Sequence, residues 1–243
     1  MQDDDGYFSA EVAQTYDAVH GGSQTTHVRC MVQELKRLAC NGRALEFAIG
    51  TGRVALPLKA AGVEIAGIEL SRAMVAELRK KAGGKDLDVT IGDMTTTQAS
   101  GRFALVFLVY NTIDNLTSQE AQIACFRNAA VHLAPGGRFV VQTLVPPIQR
   151  LPFGERYLAF SCAADYIGTD EFDVVSQQYT SHHVREIEGE YRRVSIPFRY
   201  AWPAEMDVMA RLAGLSLESR WADWDRSEFT STSPSHVSVW KKP

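Results

Sequence analysis

The chain lacks any apolar run approaching the ~20 residues that span a bilayer. Its first residues, MQDDDGYF, are acidic where a secretory leader would be basic and then apolar. These absences predict a cytoplasmic protein with no membrane partner. Cysteine is scarce: Cys30, Cys40, Cys125 and Cys162 are widely spaced, form no C-x-x-C pair and have no partners at zinc spacing. That excludes a local metal cage and predicts reduced, structural thiols. There is no internal repeat and no basic cluster to offset the formal charge of −4, so nucleic acid and anionic lipid find no general attraction. What remains is 45% hydrophobic and 22% charged over 243 residues, the composition of an ordinary globular protein with a small-molecule partner. The length suits one large domain with a modest insertion, and a homodimer is compatible with it.

Periodicity supplies the elements. Phe8, Val12, Tyr16 and Val19 share one helical face, and Val28, Met31, Val32, Leu35 and Leu38 share another, with Gly21-Gly22 between them. A strand over 43–48 leads to a helix over 51–61, which Pro57 should kink or delay. The strand VEIAGIEL follows, then a helix capped by Ser71 and stopped by Gly83-Gly84, and a third strand over Leu87 to Ile91. FALVFLV (103–109) and FVVQTLV (139–145) are continuous apolar runs of the kind that parallel strands show when helices cover both faces. A helix over 118–133 and the Pro135-Gly136-Gly137 turn join them. This order predicts a doubly wound α/β sheet. Beyond Pro146-Pro147, the segments Tyr157 to Cys162, Phe172 to Tyr179 and Tyr191 to Tyr200 read as short strands of an inserted antiparallel sheet. A helix over 203–213 and the alternating strands LSLESRW and HVSVWKK close the main sheet as an antiparallel pair. The expected organisation is an N-terminal helical lid (1–40), a core (41–146 and 202–243) and an antiparallel cap (147–201).

The turn after the first strand, Gly50-Thr51-Gly52 with Ala55 at the third small position and Glu69 further on, matches a dinucleotide fingerprint. Glu46, just before the turn, argues against that ligand, because an ionised carboxylate repels a pyrophosphate seated on the helix N-terminus. A cationic ligand reverses the sign. Gly92-Asp93-Met94 after the third strand adds an acceptor and an apolar side chain suited to an adenine. Together LEFAIGTGR, GIELS, GDM and LAPGGRF resemble the successive motifs of the class I S-adenosylmethionine-dependent methyltransferases, over residues 44–145, with LSLESRW and HVSVWKK similar to the family's terminal hairpin.

The resemblance implies a seven-stranded Rossmann-like methyltransferase sheet and S-adenosyl-L-methionine as cofactor. It implies Glu46 near the methionine amino group, the backbone of Ala48, Gly50 and Gly52 around the amino acid end, Glu69 and Leu70 at the ribose, and Asp93 with Met94 at the adenine. Ala48 stands where the family usually has glycine, which is tolerable if Ala48 keeps negative φ. TYDAVH (15–20) resembles the lid of antibiotic-sugar N-methyltransferases, in which a tyrosine borders the sulfonium; Tyr16 takes that place here. Each residue also has a plainer reading: Glu46 as an ion-pair partner of Arg43 or Arg53, Glu69 as a helix N-terminal acid, Asp93 as a turn cap, Tyr16 as a core aromatic, His20 as a helix-end histidine.

Chemistry is expected in the loop after the fourth strand, YNTIDNL, from Tyr110, Asn111, Asp114 and Asn115, with Tyr16 at the methyl and His182 or His183 reaching in from the cap. Asp114 is the favoured base or amine partner, against the alternative that it caps the following helix. Adjacent strand residues face opposite ways, so one histidine of the pair at most enters a pocket, and a metal held by the pair is not expected. The absence of N-P-P-Y argues against methylation of glutamine or an exocyclic base amine. The expected reaction is methyl transfer to nitrogen or oxygen, with carbon as a further option, of a small molecule in secondary metabolism. The alternatives are a nucleotide-cofactor oxidoreductase or a catalytically silent cofactor-binding module.

Overall fold

The computed structural model describes residues 10–20, 25–187 and 189–243. The expectations for Phe8 and Gly21-Gly22, and for the His20 side chain, lie outside what it describes. Seven strands form one sheet in the order β3-β2-β1-β4-β5-β11-β10: β1 (Ala44–Phe47), β2 (Ile65–Glu69), β3 (Asp88–Ile91), β4 (Phe103–Leu108), β5 (Leu133–Leu144), β10 (Ser216–Trp221) and β11 (Ser235–Lys241). The first five are parallel, and β11 runs antiparallel to both its neighbours. Every residue of β1 and β2 is buried, as strands covered on both faces require. Helices α2 (Thr26–Ala39), α3 (Ala55–Ala60) and α4 (Arg72–Lys80) supply the core on one face, and α5 (Gln119–His132) and α6 (Pro203–Leu212) on the other. No described helix is long and apolar enough to cross a membrane.

Several local expectations change. The five predicted residues of α2 are all buried, whereas in α1 (Ala10–His20) Val12 and Val19 are 39% and 56% exposed and Ala13 is the buried residue. α3 begins at Ala55, four residues later than predicted. Pro57 then falls in the first turn, where a backbone N–H has no helical partner and its loss is harmless. The connection from β3 to β4 contains no helix, and β5 runs through Pro135-Gly136-Gly137 instead of starting after it.

The departure at Ala48-Ile49 is accommodated from β2. Ile49 lies over Gly67, where an added Cβ would sit 2.5 Å from the isoleucine Cδ1. Gly67 therefore makes room for a side chain that the usual small-residue turn would not carry.

The cap is a four-stranded antiparallel sheet, β6 (Tyr157–Cys162), β7 (Tyr166–Asp173), β8 (Gln178–Ile187) and β9 (Glu190–Arg199), in chain order. Phe172 to Tyr179, expected as one strand, is the turn between β7 and β8: Phe172 pairs with Tyr179 across it, and Gln177 takes φ +56°. Alternation alone cannot distinguish a strand from a short hairpin whose turn lacks glycine and proline. The cap's own core is small, Phe172, Tyr179 and Tyr200 with neighbours such as Ile148, Leu158 and Trp202. It is fastened to the main sheet by a buried polar knot, in which the Arg199 guanidinium donates to Gln122 Oε1 (2.5 Å) and Glu205 (2.8 Å) while the Gln122 amide donates back to the Arg199 carbonyl (2.9 Å).

The Ile49–Gly67 contact yields a test. Gly67→Ala is expected to lower unfolding free energy by roughly 1–3 kcal/mol through overpacking, and adding Ile49→Ala should return part of that loss. Urea denaturation of the two single variants and the double variant measures the coupling; strictly additive losses would contradict it.

Candidate active site

A pocket opens where the carboxyl ends of β1 and β4 diverge, the point at which the sheet order reverses and open α/β sheets bind ligands. It is lined by Glu46, Ala48 and Gly50 from β1 and the turn after it, by Arg53, by Tyr110 and Thr112 after β4, and by Tyr16 from α1. The backbone around it is strained. Ala48 sits at φ +53°, contrary to the negative φ that its side chain led us to expect, and Tyr110 and Asn111 are consecutive left-handed residues, both at φ +58°. Such conformations cost on the order of 1–3 kcal/mol each and require outside support. Gln142 of β5 provides it for the second pair: its side-chain oxygen accepts the Tyr110 N–H (2.7 Å) and its carbonyl the Asn111 N–H (3.2 Å). Gln142, the amide within the apolar run FVVQTL, was the sequence signal for this support.

Glu46 is 4% exposed. Its carboxylate accepts the Ala55 N–H at the start of α3, but Oε2 is buried with no partner among the described residues. Burial drives its pKa well above the usual carboxylate range, opposed by the Arg53 charge and assisted by that of Glu69. Arg43, one of the two expected ion-pair partners, pairs with Glu64. The pocket thus holds a carboxylate that is costly to ionise until a donor, best a cationic one, reaches it.

Glu69, at the end of β2, accepts the Gly50 N–H (2.7 Å) and the Ser71 N–H (2.9 Å). It links the glycine turn to the head of α4, which is capped by Ser71 as predicted. Leu70 is beside it and 51% exposed. Asp93 is exposed, and its carboxylate closes the turn after β3 by accepting the Thr95 N–H (2.7 Å). Met94 is partly buried against the core, its carbonyl accepting from Asn128.

Sequence reasoning missed how the lid is held. Thr51 donates to Asp17 (2.6 Å), Asp17 pairs with Lys81, and Lys81 donates to the Thr51 carbonyl (2.7 Å). This clasp ties α1 to the glycine turn and to the end of α4. Arg53, considered earlier only as an ion-pair partner, stacks over the Tyr110 ring (3.5 Å to its centroid) and lies 5.6 Å from that of Tyr16. Both phenols are raised in pKa by burial against the lowering effect of the guanidinium. Asp17 within TYDAVH and Arg53 after the second glycine were visible in the sequence, but nothing local indicated their partners.

Asp114 lies outside this pocket's lining. It sits in a 3-10 turn (Thr112–Asn115) at the seam with the cap, 1% exposed, and accepts from Thr143 and Tyr179, both at 3.3 Å. Burial raises its pKa to about 8 against the effect of those two bonds and of Arg199. It does not cap the following helix, whose cap is Ser118. His182 and His183 lie within β8 on opposite faces. His182 meets Ser195 (2.8 Å), Arg193 (3.0 Å) and Glu171 on the face away from Tyr179, while His183 shares the Tyr179 face.

The donor set fits S-adenosylmethionine better than a dinucleotide: a buried carboxylate oxygen lacks a donor among the described residues, and an arginine lies beside two aromatic rings in the same pocket. Relatives agree with the geometry. Residues 44–137 match the profile of the Methyltransferase domain family. The solved CcbJ methyltransferase from Streptomyces caelestis is 34% identical, with 98% of each chain covered and a TM-score of 0.86. The cypemycin N-terminal methyltransferase of a Streptomyces species is 28% identical over 71% of this chain and 72% of its own. A dTDP-3-amino-3,4,6-trideoxy-alpha-D-glucopyranose N,N-dimethyltransferase of Streptomyces venezuelae is 29% identical over 66% and 62%. The chain belongs to the S-adenosylmethionine-dependent methyltransferases.

Proposed function

We propose that the acceptor atom is an amino nitrogen, presented between the lid (1–40) and the cap (147–201). The observation that carries this reading is the titratable set lining the pocket. Among the described residues it comprises Tyr16, Glu46, Arg53 and Tyr110, none of them suited to ionising a hydroxyl. The phenols are shifted upward, Arg53 is permanently charged, and Glu46 is assigned to the cofactor. An amine needs no such base, because its ammonium form gives up its proton to water and the neutral amine then attacks through a free lone pair. The activities of two relatives, an N-terminal methyltransferase and an N,N-dimethyltransferase, support the same atom.

When bound, S-adenosylmethionine supplies a methyl on a cationic sulfonium, whose displacement needs no acid for the leaving thioether. The chain's task is then alignment and exclusion of water. In this reading Glu46 takes the ammonium of the methionine moiety and Arg53 its carboxylate. Gly50 and Gly52 let the backbone approach, Glu69 and Leu70 meet the ribose, and Asp93 and Met94 meet the adenine. Tyr16, Tyr110 and Asn111 surround the methyl. Asp114 is a positioning residue, a largely protonated post that sets the cap's height above the pocket through Tyr179. His183 belongs to the acceptor side and His182 to the cap's own structure.

Glu46→Gln is expected to weaken S-adenosylhomocysteine binding by roughly 1.5–3 kcal/mol, the range of a hydrogen bond to a charged group; unchanged affinity in calorimetry would remove Glu46 from the cofactor site. Asp114 makes a pH prediction. Its folded value of about 8 lies above the reference 3.8, so the native state binds the extra proton and stability should fall as pH rises between those values. Asp114→Asn should flatten that fall in denaturation measured across the window, and an unaltered slope would mean that the carboxyl is ionised in the fold. The nitrogen assignment is tested by mass spectrometry of amine and hydroxyl metabolites incubated with enzyme and methyl-labelled cofactor, and label on oxygen alone would overturn it.

A further inference from the structure

The register of the cap sheet arranges one of its faces in rows leading away from the Asp114 seam. Phe172, Tyr179 and Phe198 form the first row, Asp170, Ser181 and Ile196 the second, Gly168, His183 and Val194 the third, and Tyr166, Arg185 and Arg192 the fourth. Successive rows are about 7 Å apart, two residues along a strand. The first row is packed and stacked, with ring centroids 5.3 and 4.9 Å apart.

The next rows hold polar groups that the fold has no evident need of. The Tyr166 hydroxyl lies 2.7 Å from His183 Nδ1, His183 Nε2 lies 3.2 Å from Ser181 Oγ, and Ser181 is hydrogen-bonded to the Asp170 carboxylate. Burial lowers the His183 pKa, which favours the neutral ring. A neutral imidazole has one donor and one acceptor nitrogen, and with Asp170 ionised one arrangement satisfies every contact. Tyr166 donates to Nδ1, Nε2–H donates to Ser181, and the serine hydroxyl donates to Asp170. Every proton in the chain is committed toward the carboxylate. Asp170 Oδ1 remains buried with no partner among the described residues, and burial raises its pKa in spite of Ser181. An ionised carboxylate has about four acceptor sites, of which Ser181 takes one, and Asp170 as a whole is only half-buried, so its other oxygen can accept a further donor from the face. Whatever completes this chain must donate a hydrogen bond.

The surroundings narrow the donor further. The His183 ring stacks on Tyr166 (6.0 Å, 11°), and Phe160 meets His183 edge-on at 5.6 Å. Gly168 has no side chain, as this requires, since a Cβ there would fall 2.2 Å from the Phe160 ring. Phe160 is 46% exposed. A part-open aromatic patch beside an acceptor-only carboxylate suits an amine carried on a ring: the ring covers apolar surface, and the positive charge offsets the cost of ionising Asp170.

We propose that the Asp170–Ser181–His183–Tyr166 chain is an acceptor subsite, in which Asp170 takes an amine N–H of the acceptor while the acceptor's ring rests against Phe160, His183 and Tyr166. This rests on the nitrogen-acceptor reading and adds to it the residues that select the amine. Asp170 is a specificity residue here, with no bond made or broken at it.

The test uses the full chain saturated with S-adenosylhomocysteine and two probes that differ only in the donor, benzylamine and benzyl alcohol. Calorimetry is expected to give a preference of about tenfold or more for the amine, equal to ~1.4 kcal/mol. Asp170→Asn should erase the preference and leave S-adenosylhomocysteine affinity unchanged; Phe160→Ala should weaken both probes alike. Equal affinity for the two probes, no saturable binding of benzylamine at millimolar concentration, or a preference that survives Asp170→Asn overturns the proposal. If Asp170→Asn fails to fold, the wild-type His183 ring resonances decide, because an amine on Asp170 must shift them through Ser181, and unshifted resonances at saturating amine overturn the subsite. Methyl label found only on oxygen would sink the nitrogen-acceptor reading itself, so the two failures are distinct.

Discussion

A carboxylate buried at the end of a central parallel strand is an unfavourable thing to build, and the active site is arranged around that cost. Glu46 lies between β2 and β4, the two strands flanking β1, at the point where the chain begins to fill the sheet in the opposite direction. Its burial comes from topology, and the glycine turn, Arg53 and the start of α3 all approach the same few atoms. A phosphate-bearing cofactor would add negative charge to a region that already contains Glu69. A cofactor with an ammonium and no phosphate removes the conflict. One side-chain charge therefore separates this family from the dinucleotide folds with which it shares a turn.

The strain around the pocket follows from the same requirement. Ala48, Tyr110 and Asn111 all adopt conformations that glycine would adopt more cheaply. Glycine at 110 would lose the ring on which Arg53 stacks, and the loop keeps its side chains because Gln142 holds its backbone from the neighbouring strand. Ile49 over Gly67 is a parallel case, in which a larger residue in the turn is matched by the smallest one in the next strand.

Much of this was legible in the sequence, for a physical reason. Continuous apolar runs, Ser71 before a helix and acids at successive strand ends are local patterns, and they led to the doubly wound sheet, the two-sided core and Glu46 at the pocket. The parts that were not legible depend on contacts between distant segments. Of the apolar face assigned to α1, Tyr16 reaches the pocket, but Val12 and Val19 are exposed, Ala13 is buried in their place, and Asp17 ties the helix to the glycine turn. The hairpin at 172–179 was taken for a strand because its turn carries no glycine or proline. The seam position of Asp114 arises from Thr143 and Tyr179, 29 and 65 residues away. The rows of the cap face likewise appear only once β7, β8 and β9 are paired in register.

The clasp on α1 has a consequence for local stability. A helix anchored by apolar burial would detach only with the loss of a large contact area, but among its described residues α1 fully buries one small side chain, Ala13, and its Asp17 meets Lys81 and the Thr51 hydroxyl near the surface. Contacts of that kind are weak and screened by salt. Detaching α1 is therefore expected to be a local event, cheaper than unfolding the sheet beneath it. The hold of α1 on the glycine turn is expected to weaken as ionic strength rises, while the parallel strands beneath keep their packing.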